Sequence, residues 1–388
     1  MIFLTEYNPG LPVFLDKPIE FGFRQEKVME SKVLLGAGLL HGIEWKDLIR
    51  VRREAVHFII TDKNVDVLYG KKLLEDLSRA GFCVQKLVIN PGEKAKSFKI
   101  YEQISQKILR SGIAKDSFII GFGGGVVNNI AGFLASTLYR GIGLIQIPTT
   151  LLAQADAAID FKQAINSRIG KNHMGSYYPA STILVDPSLL KTLPIRHVRN
   201  GLAESIKHAI TQDEKLFNYL FDYTDDVTDE RFLHTVIARN IQLKIQLLNE
   251  PYRSEHAEMI PQYGHAVCHA LEQISHYSLL HGEALAIGMC VMAEVAMELG
   301  LCDDNTVRDH YRILKKFNLP TSIPKKISLH VLLRVLRHDK HHVGVIQSTL
   351  VSRIGGVEKH GKDWAFSISL PVLRRAFIRN QRRGRLYA

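Results

Sequence analysis

Cysteine and long apolar runs are both scarce in this chain of 388 residues. The four cysteines, Cys83, Cys268, Cys290 and Cys302, show no paired spacing, which favours free thiols in a reducing compartment. No apolar run approaches the roughly 20 residues that a membrane-spanning helix needs. The first residues also lack the basic segment and uninterrupted apolar core of a signal peptide. We therefore predict a cytoplasmic protein with no membrane contact.

Acidic residues are outnumbered: 39 Asp and Glu stand against 50 Lys and Arg, for a formal net charge of +11. This balance favours an anionic partner, either nucleic acid or a phosphorylated metabolite. No stacking-aromatic module or helix-turn-helix pattern accompanies the charge, so nucleic acid is the less favoured partner. The densest basic run, RRAFIRNQRRGRLYA at the C-terminus, is interpreted as a solvated or frayed tail.

The chain is long enough for two domains, and the pattern of predicted strands and helices differs between its two halves. Residues 55–64 form a β-branched run, 71–80 have a helical pattern and 83–89 read as another strand, after early strands and a helix near 45–52. This βαβ alternation predicts an open α/β sheet with its ligand edge at the carboxyl ends of parallel strands. Long helical patterns dominate after Asp186. We predict an α/β domain over 1–190 and a mainly helical domain over 191–388.

A glycine-rich turn lies in the middle of the first half. An apolar run over 117–120 leads into Gly121, Gly123, Gly124 and Gly125, and a helical pattern follows. This arrangement lets backbone amides approach a phosphate group. It is not the full dinucleotide fingerprint, because no acidic residue follows about twenty positions later.

A second apolar run, over 143–148, ends at two threonines and a polar loop. The carboxyl end of a strand is the edge that ligands prefer in an α/β sheet. The polar side chains at this edge are Thr149, Thr150, Asp156, Lys162, Lys171 and Asn172.

The second half contains a pattern typical of a metal site. Glu204 and Lys207 are one helical turn apart, His265 and His269 likewise, and His281 begins another helical pattern. One glutamate and two histidines would leave a zinc position open for substrate. Spacing alone leaves two interpretations of the pair His265 and His269: an ordinary structural pair, or two ligands of one metal.

The order GGG, RGI, IPTTLLAQ, FKQAIN, GKN and YYP resembles the sugar phosphate cyclases related to 3-dehydroquinate synthase. Within that family, FKQAIN and GKNHMGSYYP are most similar to the branch that forms 2-deoxy-scyllo-inosose. The resemblance implies a Rossmann-like NAD-binding domain, a mainly α-helical metal-binding domain, NAD and a divalent metal such as Zn or Co. It also implies a homodimer, because the arginine of RGI, here Arg140, reaches a neighbouring subunit's site in related enzymes.

The resemblance also assigns roles residue by residue. The implied NAD-binding residues are Asp62, Asn64, Glu93, Lys96, Gly124, Gly125, Asn129, Thr149, Thr150 and Lys171. The implied metal ligands are Glu204, His265 and His281. The implied catalytic residues are Asp156, Lys162, Lys207 and His269, the last approaching the substrate phosphate. The implied substrate-binding residues are Arg140, Asn172, Lys244, Gln262 and Lys340.

Several positions depart from the dehydroquinate synthase pattern. Glu258 stands where an arginine holds the substrate carboxylate, and Gln262 matches neither the asparagine of that branch nor the glutamate of inosose synthases. Asn128 and Asn129 replace Gly-Asp after the glycine turn, and His341 replaces a lysine. Because Glu258 would repel a carboxylate, a neutral polyol phosphate is favoured.

The predicted reaction turns glucose 6-phosphate into 2-deoxy-scyllo-inosose, the ring found in aminocyclitols. It comprises transient oxidation by NAD, phosphate elimination, return of the hydride and intramolecular aldol closure. The alternatives are a sedoheptulose 7-phosphate cyclase, a 3-dehydroquinate synthase, and, in a different class, a non-catalytic relative that binds phosphate or nucleic acid.

Overall fold

The computed structural model describes residues 30–49, 54–167, 170–251, 254–337 and 346–387. The strands in these residues are β1 (Lys32–Leu35), β2 (Val56–Asp62), β3 (Cys83–Ile89), β4 (Phe118–Gly123), β5 (Gly143–Pro148), β6 (Lys162–Ile165), β7 (Met174–Tyr177), β8 (Thr182–Val185), β9 (Ile346–Ser348), β10 (Val351–Arg353), β11 (Gly356–Val357) and β12 (Phe366–Ile368).

The α-helices in the same residues are α1 (Leu39–Gly42), α2 (Trp45–Leu48), α3 (Lys63–Val65), α4 (Lys71–Arg79), α5 (Phe98–Arg110), α6 (Gly125–Thr137), α7 (Ile195–Gln212), α8 (Glu214–Asp222), α9 (Glu230–Leu248), α10 (Glu255–Met259), α11 (His265–Ile274), α12 (His281–Glu298), α13 (Asp304–Lys316), α14 (Leu329–Arg337) and α15 (Leu370–Arg383). Short 3₁₀ turns lie at Glu93–Ala95, Leu138–Arg140, Pro187–Thr192 and Ile260–Gln262, and π turns at Asp66–Gly70 and Ala153–Ala157.

A six-stranded sheet organises the first half. Its strand order is β1-β8-β5-β4-β2-β3, and every neighbouring pair is parallel. All six residues of β4 are buried, as expected of a parallel strand covered on both faces. The carboxyl ends of β2, β4 and β5 therefore meet at one edge. The predicted α/β class, with a Rossmann-like N-terminal domain and a helical C-terminal domain, is confirmed.

The helices of the second half surround α12, whose residues are nearly all buried. Close approach of α11 and α12 depends on two glycines. A Cβ on Gly288 would lie 2.2 Å from the carbonyl oxygen of Gly264, and Gly264 itself has φ +77°, a conformation that favours glycine. This contact packs the start of α11 closely against α12, and the rings of His265 and His281, the first residues of the two helices, have centroids 5.3 Å apart. The predicted domain limits, 1–190 and 191–388, stay a prediction.

One prediction about local structure was wrong. The basic C-terminal run is not a frayed tail, because it forms α15 and packs on α12. Its arginines face carboxylates: Arg383 Nε lies 2.7 Å from the fully buried Glu294, and Arg375 Nε lies 2.6 Å from Glu298. The helix predicted near 45–52 is present as α2, Trp45–Leu48, and residues 50–52 lie outside the described residues. In the part of the chain that the structure describes, no helix has the length and apolarity needed to span a membrane.

Replacing Arg383 by alanine should destabilise the protein by about 3 kcal/mol, because it removes the nearer of two guanidinium groups that contact the buried Glu294 carboxylate and leaves that of Arg379, at 3.9 Å. Tyr311 still donates a hydrogen bond to that carboxylate at 3.2 Å. The loss of stability is therefore expected at the lower end of the range of roughly 3–5 kcal/mol for breaking a buried ion pair. Arg382→Ala is the matched control, since Arg382 is exposed on the same helix. Urea unfolding of both variants measures the difference, and equal stabilities would contradict this role of α15.

Candidate active site

A cavity of ≈ 1370 Å³ lies at the carboxyl edge of the sheet, where α7, α11 and α12 meet it. The described residues bring together almost all of the predicted site. Those that line the cavity are Asp62, Asn64, Glu93, Lys96, Gly124, Gly125, Asn129, Thr149, Thr150, Asp156, Lys162, Lys171, Asn172, Glu204, Lys207, Lys244, Gln262, His265, His269 and His281. Arg140 is exposed and does not line it. Lys340 and His341 lie outside the described residues.

The glycine turn forms one wall of the cavity. β4 ends at Gly123, and Gly124 precedes the first residue of α6. A Cβ at Gly124 would lie 3.0 Å from Thr150 Cγ2, and one at Gly123 would lie 2.6 Å from Val127. The turn therefore requires glycine for close packing, and it leaves the amides at the start of α6 exposed to an anion.

The two asparagines after this turn have different surroundings. Asn128 is buried and donates to Gln146 Oε1 at 2.7 Å, so it joins α6 to β5 away from the cavity. Asn129 lines the cavity, but its side chain donates to the Gly125 carbonyl at 3.0 Å and accepts from Ala164 N at 3.2 Å. Asn129 thus fixes the glycine turn against β6, and its predicted contact with NAD stays a prediction.

Polar side chains near the ends of β2 and β3 are also held in place. Asp62 accepts hydrogen bonds from the backbone N–H groups of Asn64 and Val65, at 2.9 and 3.2 Å. Lys96 Nζ donates to Asn172 Oδ1 at 2.5 Å. These contacts order the edge of the sheet beside β2 and β3.

Lys171 connects the two halves of the site. Its Nζ lies 2.8 Å from Glu272 of α11 and 3.4 Å from Glu93. Burial works against the charged form, but Glu272 and Glu93 raise the pKa of Lys171 above its ordinary value, so the lysine stays charged. Sequence reasoning missed Glu272, although it follows His269 by one helical turn.

Three side chains form a candidate metal centre: Glu204 of α7 and the first residues of α11 and α12, His265 and His281. Their ligand atoms lie within 4.8 Å of one another. Glu204 Oε1 is 3.0 Å from His281 Nε2 and 3.5 Å from His265 Nε2. Two imidazole nitrogens and one carboxylate oxygen suit a catalytic zinc site that leaves a coordination position open.

The orientation of both imidazole rings supports this centre. His265 Nδ1 lies 3.3 Å from the carbonyl oxygen of Tyr263, and His281 Nδ1 lies 3.4 Å from Glu272 Oε2. These acceptors hold the proton on Nδ1 and leave Nε2 for a metal. Burial lowers the pKa of His265 to about 4, so its ring is neutral near pH 7. The residues present therefore fit a divalent metal ion.

His269 stands outside this group. Its ring centroid is 5.5 Å from that of His265, yet the ligand atoms that converge with Glu204 in the described residues belong to His265 and His281. Burial and the neighbouring His265 hold the pKa of His269 well below its usual value. The geometry favours what the resemblance implies for this pair: His265 as a metal ligand and His269 as a second histidine that lines the cavity.

Lys207 and Asp156 are fixed beside the metal centre. The buried Lys207 Nζ lies 2.5 Å from Glu204 Oε2 and donates to the Pro261 carbonyl at 3.0 Å. Asp156 Oδ1 lies 3.5 Å from His208 Nε2, and His208 in turn contacts Asn240 at 2.7 Å. Burial would raise the pKa of Asp156, but Lys244 and His208 lower it well below its usual value. His208 was missed, although it directly follows Lys207.

Lys244 is held by two carboxylates. Its Nζ lies 2.8 Å from Asp156 Oδ1 and 3.0 Å from Asp160 Oδ2, and only 3% of its side chain is exposed. Lys162 Nζ lies 3.7 Å from the same Asp160 oxygen, with 38% of its side chain exposed. Sequence reasoning missed Asp160, although it follows Asp156 by four residues.

Glu258 lines the same cavity as the metal centre. Tyr177 of β7 donates a hydrogen bond to Glu258 Oε1 at 3.3 Å, so its carboxylate is fixed toward the site. Gln262 also lines the cavity, at the end of the 3₁₀ turn Ile260–Gln262. The cavity wall thus carries the carboxylate of Glu258 at the position where the family resemblance implies an arginine.

Sequence comparison agrees with this geometry. The profile described as 3-dehydroquinate synthase N-terminal matches residues 86–200, and the profile described as 3-dehydroquinate synthase C-terminal matches 201–342. The 3-dehydroquinate synthase of Caldanaerobacter subterraneus subsp. tengcongensis is 36% identical over 316 residues, 80% of this chain and 89% of its own length. The chain belongs to the 3-dehydroquinate synthase family. The enzyme of Thermoanaerobacter pseudethanolicus is 37% identical over 309 residues, 79% of this chain and 87% of its own.

Solved structures of the family's fold agree as well. A 2-epi-5-epi-valiolone synthase from Streptomyces hygroscopicus subsp. jinggangensis, with NAD⁺ and Zn²⁺ bound, has a TM-score of 0.83 and 26% identity over 94% of this chain and 100% of its own. A 2-deoxy-scyllo-inosose synthase with carbaglucose-6-phosphate, NAD⁺ and Co²⁺ has a TM-score of 0.81 and 26% identity over 89% of this chain and 95% of its own. These comparisons confirm the predicted family, a sugar phosphate cyclase family of the dehydroquinate synthase type.

Proposed function

We propose that this protein is an NAD- and divalent-metal-dependent cyclase that converts glucose 6-phosphate into 2-deoxy-scyllo-inosose with release of phosphate. The observation that carries the proposal is the placement of Glu258 in the same cavity as Glu204, His265 and His281. A cavity with metal ligands and a fixed acid suits a phosphorylated polyol without a carboxylate.

The family neighbours support both cofactors, since two of them hold NAD⁺ with Zn²⁺ or Co²⁺. In this chain, Glu204, His265 and His281 would hold the metal. The glycine turn and the residues at the ends of β2, β3 and β5 would hold NAD, a proposal that extends to each NAD-binding residue named above. When bound, NAD supplies reversible hydride acceptance and the metal polarises the alcohol that is oxidised.

The substrate's own chemistry fixes which carbon must be oxidised. Phosphate leaves C6 by elimination only if the C5–H bond is acidic, and a ketone at C4 makes it acidic. After elimination the C4 alcohol must be restored before the ring opens and the enol carbon attacks the aldehyde. Oxidation and reduction therefore cancel over one turnover.

The chain's own side chains would assist these steps. Lys162 is the most exposed of the charged cluster around Asp160, so its ammonium can meet the phosphate. His269 faces the cavity as a neutral imidazole and can exchange a proton there. Lys207, held by Glu204 and Pro261, provides a fixed ammonium next to the metal centre.

Three further residues that line the cavity would bind substrate hydroxyls: Asn172, Gln262 and Lys244. Lys340 is proposed to bind the phosphate on family resemblance alone.

A second candidate is 3-dehydroquinate synthase activity, because the sequence relatives carry that name. That substrate carries a carboxylate, and Glu258 would bring two anions together, costing on the order of 1 kcal/mol or more. The observed acid thus favours the neutral substrate. A non-catalytic binding role is disfavoured because the metal ligands, Asp156, Lys162 and Lys207 are all present and converge.

Arg140 supports a proposed homodimer. It is exposed, has φ +65° and lies outside the cavity of its own chain. An arginine in this position can serve a second copy's phosphate site, as the resemblance implies.

Purified protein with NAD, a divalent metal and glucose 6-phosphate should release phosphate without accumulating NADH. The reason is that the hydride taken from C4 returns to it within each turnover. Absorbance at the NADH wavelength and a phosphate assay on the same sample measure both quantities. Stoichiometric growth of NADH with an oxidised sugar phosphate would show an ordinary dehydrogenase instead.

A further inference from the structure

Four charged side chains form a compact cluster in the cavity wall: Asp156, Asp160, Lys162 and Lys244. Two ammonium groups and two carboxylates make this cluster electrically neutral. Asp160 contacts both lysines, at 3.0 Å to Lys244 Nζ and 3.7 Å to Lys162 Nζ. Removing its charge alone would leave a net positive wall facing the substrate.

We propose that Asp160 is a specificity-determining residue: together with Asp156 it outweighs the charge of Lys244, so that this wall accepts the hydroxyl groups of an uncharged chain and rejects a carboxylate. The inference rests on the proposed function, since it names what the substrate carries at the end away from its phosphate. It uses a side chain that none of the predicted site roles includes.

The geometry explains why Asp156 alone cannot do this. Asp156 also faces His208 at 3.5 Å, and it can compensate only one of the two lysines. Lys162 is exposed enough to turn toward a phosphate, and the remaining Asp156, Asp160 and Lys244 then carry one net negative charge. A substrate carboxylate meets repulsion there, whereas a hydroxyl can donate to the aspartate oxygens.

Two open-chain ligands that differ in one group provide the test: glucitol 6-phosphate and gluconate 6-phosphate, which carry a hydroxymethyl group and a carboxylate at C1. Calorimetric binding to the full-length protein loaded with NAD and metal gives the ratio of their affinities. In Asp160→Asn the ratio should shift by about tenfold toward gluconate 6-phosphate, because the cluster gains a positive charge. Asp160→Ser should shift it in the same direction.

Asp66→Asn is the matched control, because Asp66 pairs with Lys86 at 2.5 Å away from the cavity lining, and its ratio should equal that of the wild type. Adding Lys244→Met to Asp160→Asn should abolish the shift. An unchanged ratio in Asp160→Asn, or an equal loss of affinity for both ligands, would overturn the proposal.

Because these experiments measure binding, they test the role of Asp160 separately from the proposed cyclase reaction. A shift in Asp160→Asn without turnover of glucose 6-phosphate by the wild type would refute the proposed reaction and support the role of Asp160. Turnover of glucose 6-phosphate by the wild type, with an unchanged affinity ratio in Asp160→Asn, would support the proposed reaction and refute the role of Asp160.

Discussion

His281→Ala should lose bound metal and lower kcat with glucose 6-phosphate by about a thousandfold or more. The substitution removes one of three ligands whose atoms converge within 4.8 Å, and the lost polarisation of the substrate alcohol amounts to several kcal/mol. It also leaves Glu272 Oε2 without the imidazole that faces it at 3.4 Å. Metal content by elemental analysis and initial rates of phosphate release measure the two effects.

His234→Ala is the control for this substitution, because His234 is exposed on α9 and does not line the cavity. It should keep both metal and activity. Wild-type rates in His281→Ala, or in protein stripped of metal, would refute the assignment of Glu204, His265 and His281.

Glucose 6-phosphate should be turned over far better than 3-deoxy-arabino-heptulosonate 7-phosphate, by a factor of about a hundred or more in kcat/KM. The fixed acid Glu258 and the net negative charge of Asp156, Asp160 and Lys244 both disfavour a carboxylate. Two such penalties of about 1–2 kcal/mol each together give a preference of about a hundredfold. Glu258→Arg should raise the relative kcat/KM of the heptulosonate phosphate. The measurement is the pair of specificity constants for wild type and variant.

Glu255→Arg is the matched control, since Glu255 lies on the same helix, α10, and outside the cavity lining. It should leave the ratio of specificity constants unchanged. A wild-type preference for the heptulosonate phosphate would reject the inosose reaction, while the metal and NAD proposals would survive.

Much of the sheet could be predicted because β2 to β5 are mainly apolar, β-branched runs. β3 and β5 have the predicted limits, and β2 and β4 differ from theirs by a few residues. The cavity followed from the same pattern, since parallel strands place Asp62, Gly124 and Thr149 at one edge. The short strands β6 to β12 were not predicted, and Lys162, expected in a loop, begins β6. Segments of two to four residues carry too little periodicity.

The contacts within the site could not be predicted from spacing. Whether Lys244 meets a substrate or a carboxylate depends on how α9 packs against Ala153–Ala157, which only the tertiary structure shows. The basic run that became α15 was misinterpreted for a similar reason. Its anionic partners, Glu294 and Glu298, lie more than seventy residues earlier in the chain.

The most direct test of the account uses glucose 6-phosphate carrying deuterium at C4, with the wild-type protein, NAD and a divalent metal. Mass spectrometry of the product and a phosphate assay are read from one reaction. We predict 2-deoxy-scyllo-inosose that retains the deuterium, one phosphate released for each product molecule, and no accumulation of NADH. A phosphorylated ketone with the deuterium transferred to NADH, or no reaction while the heptulosonate phosphate is consumed, would contradict it.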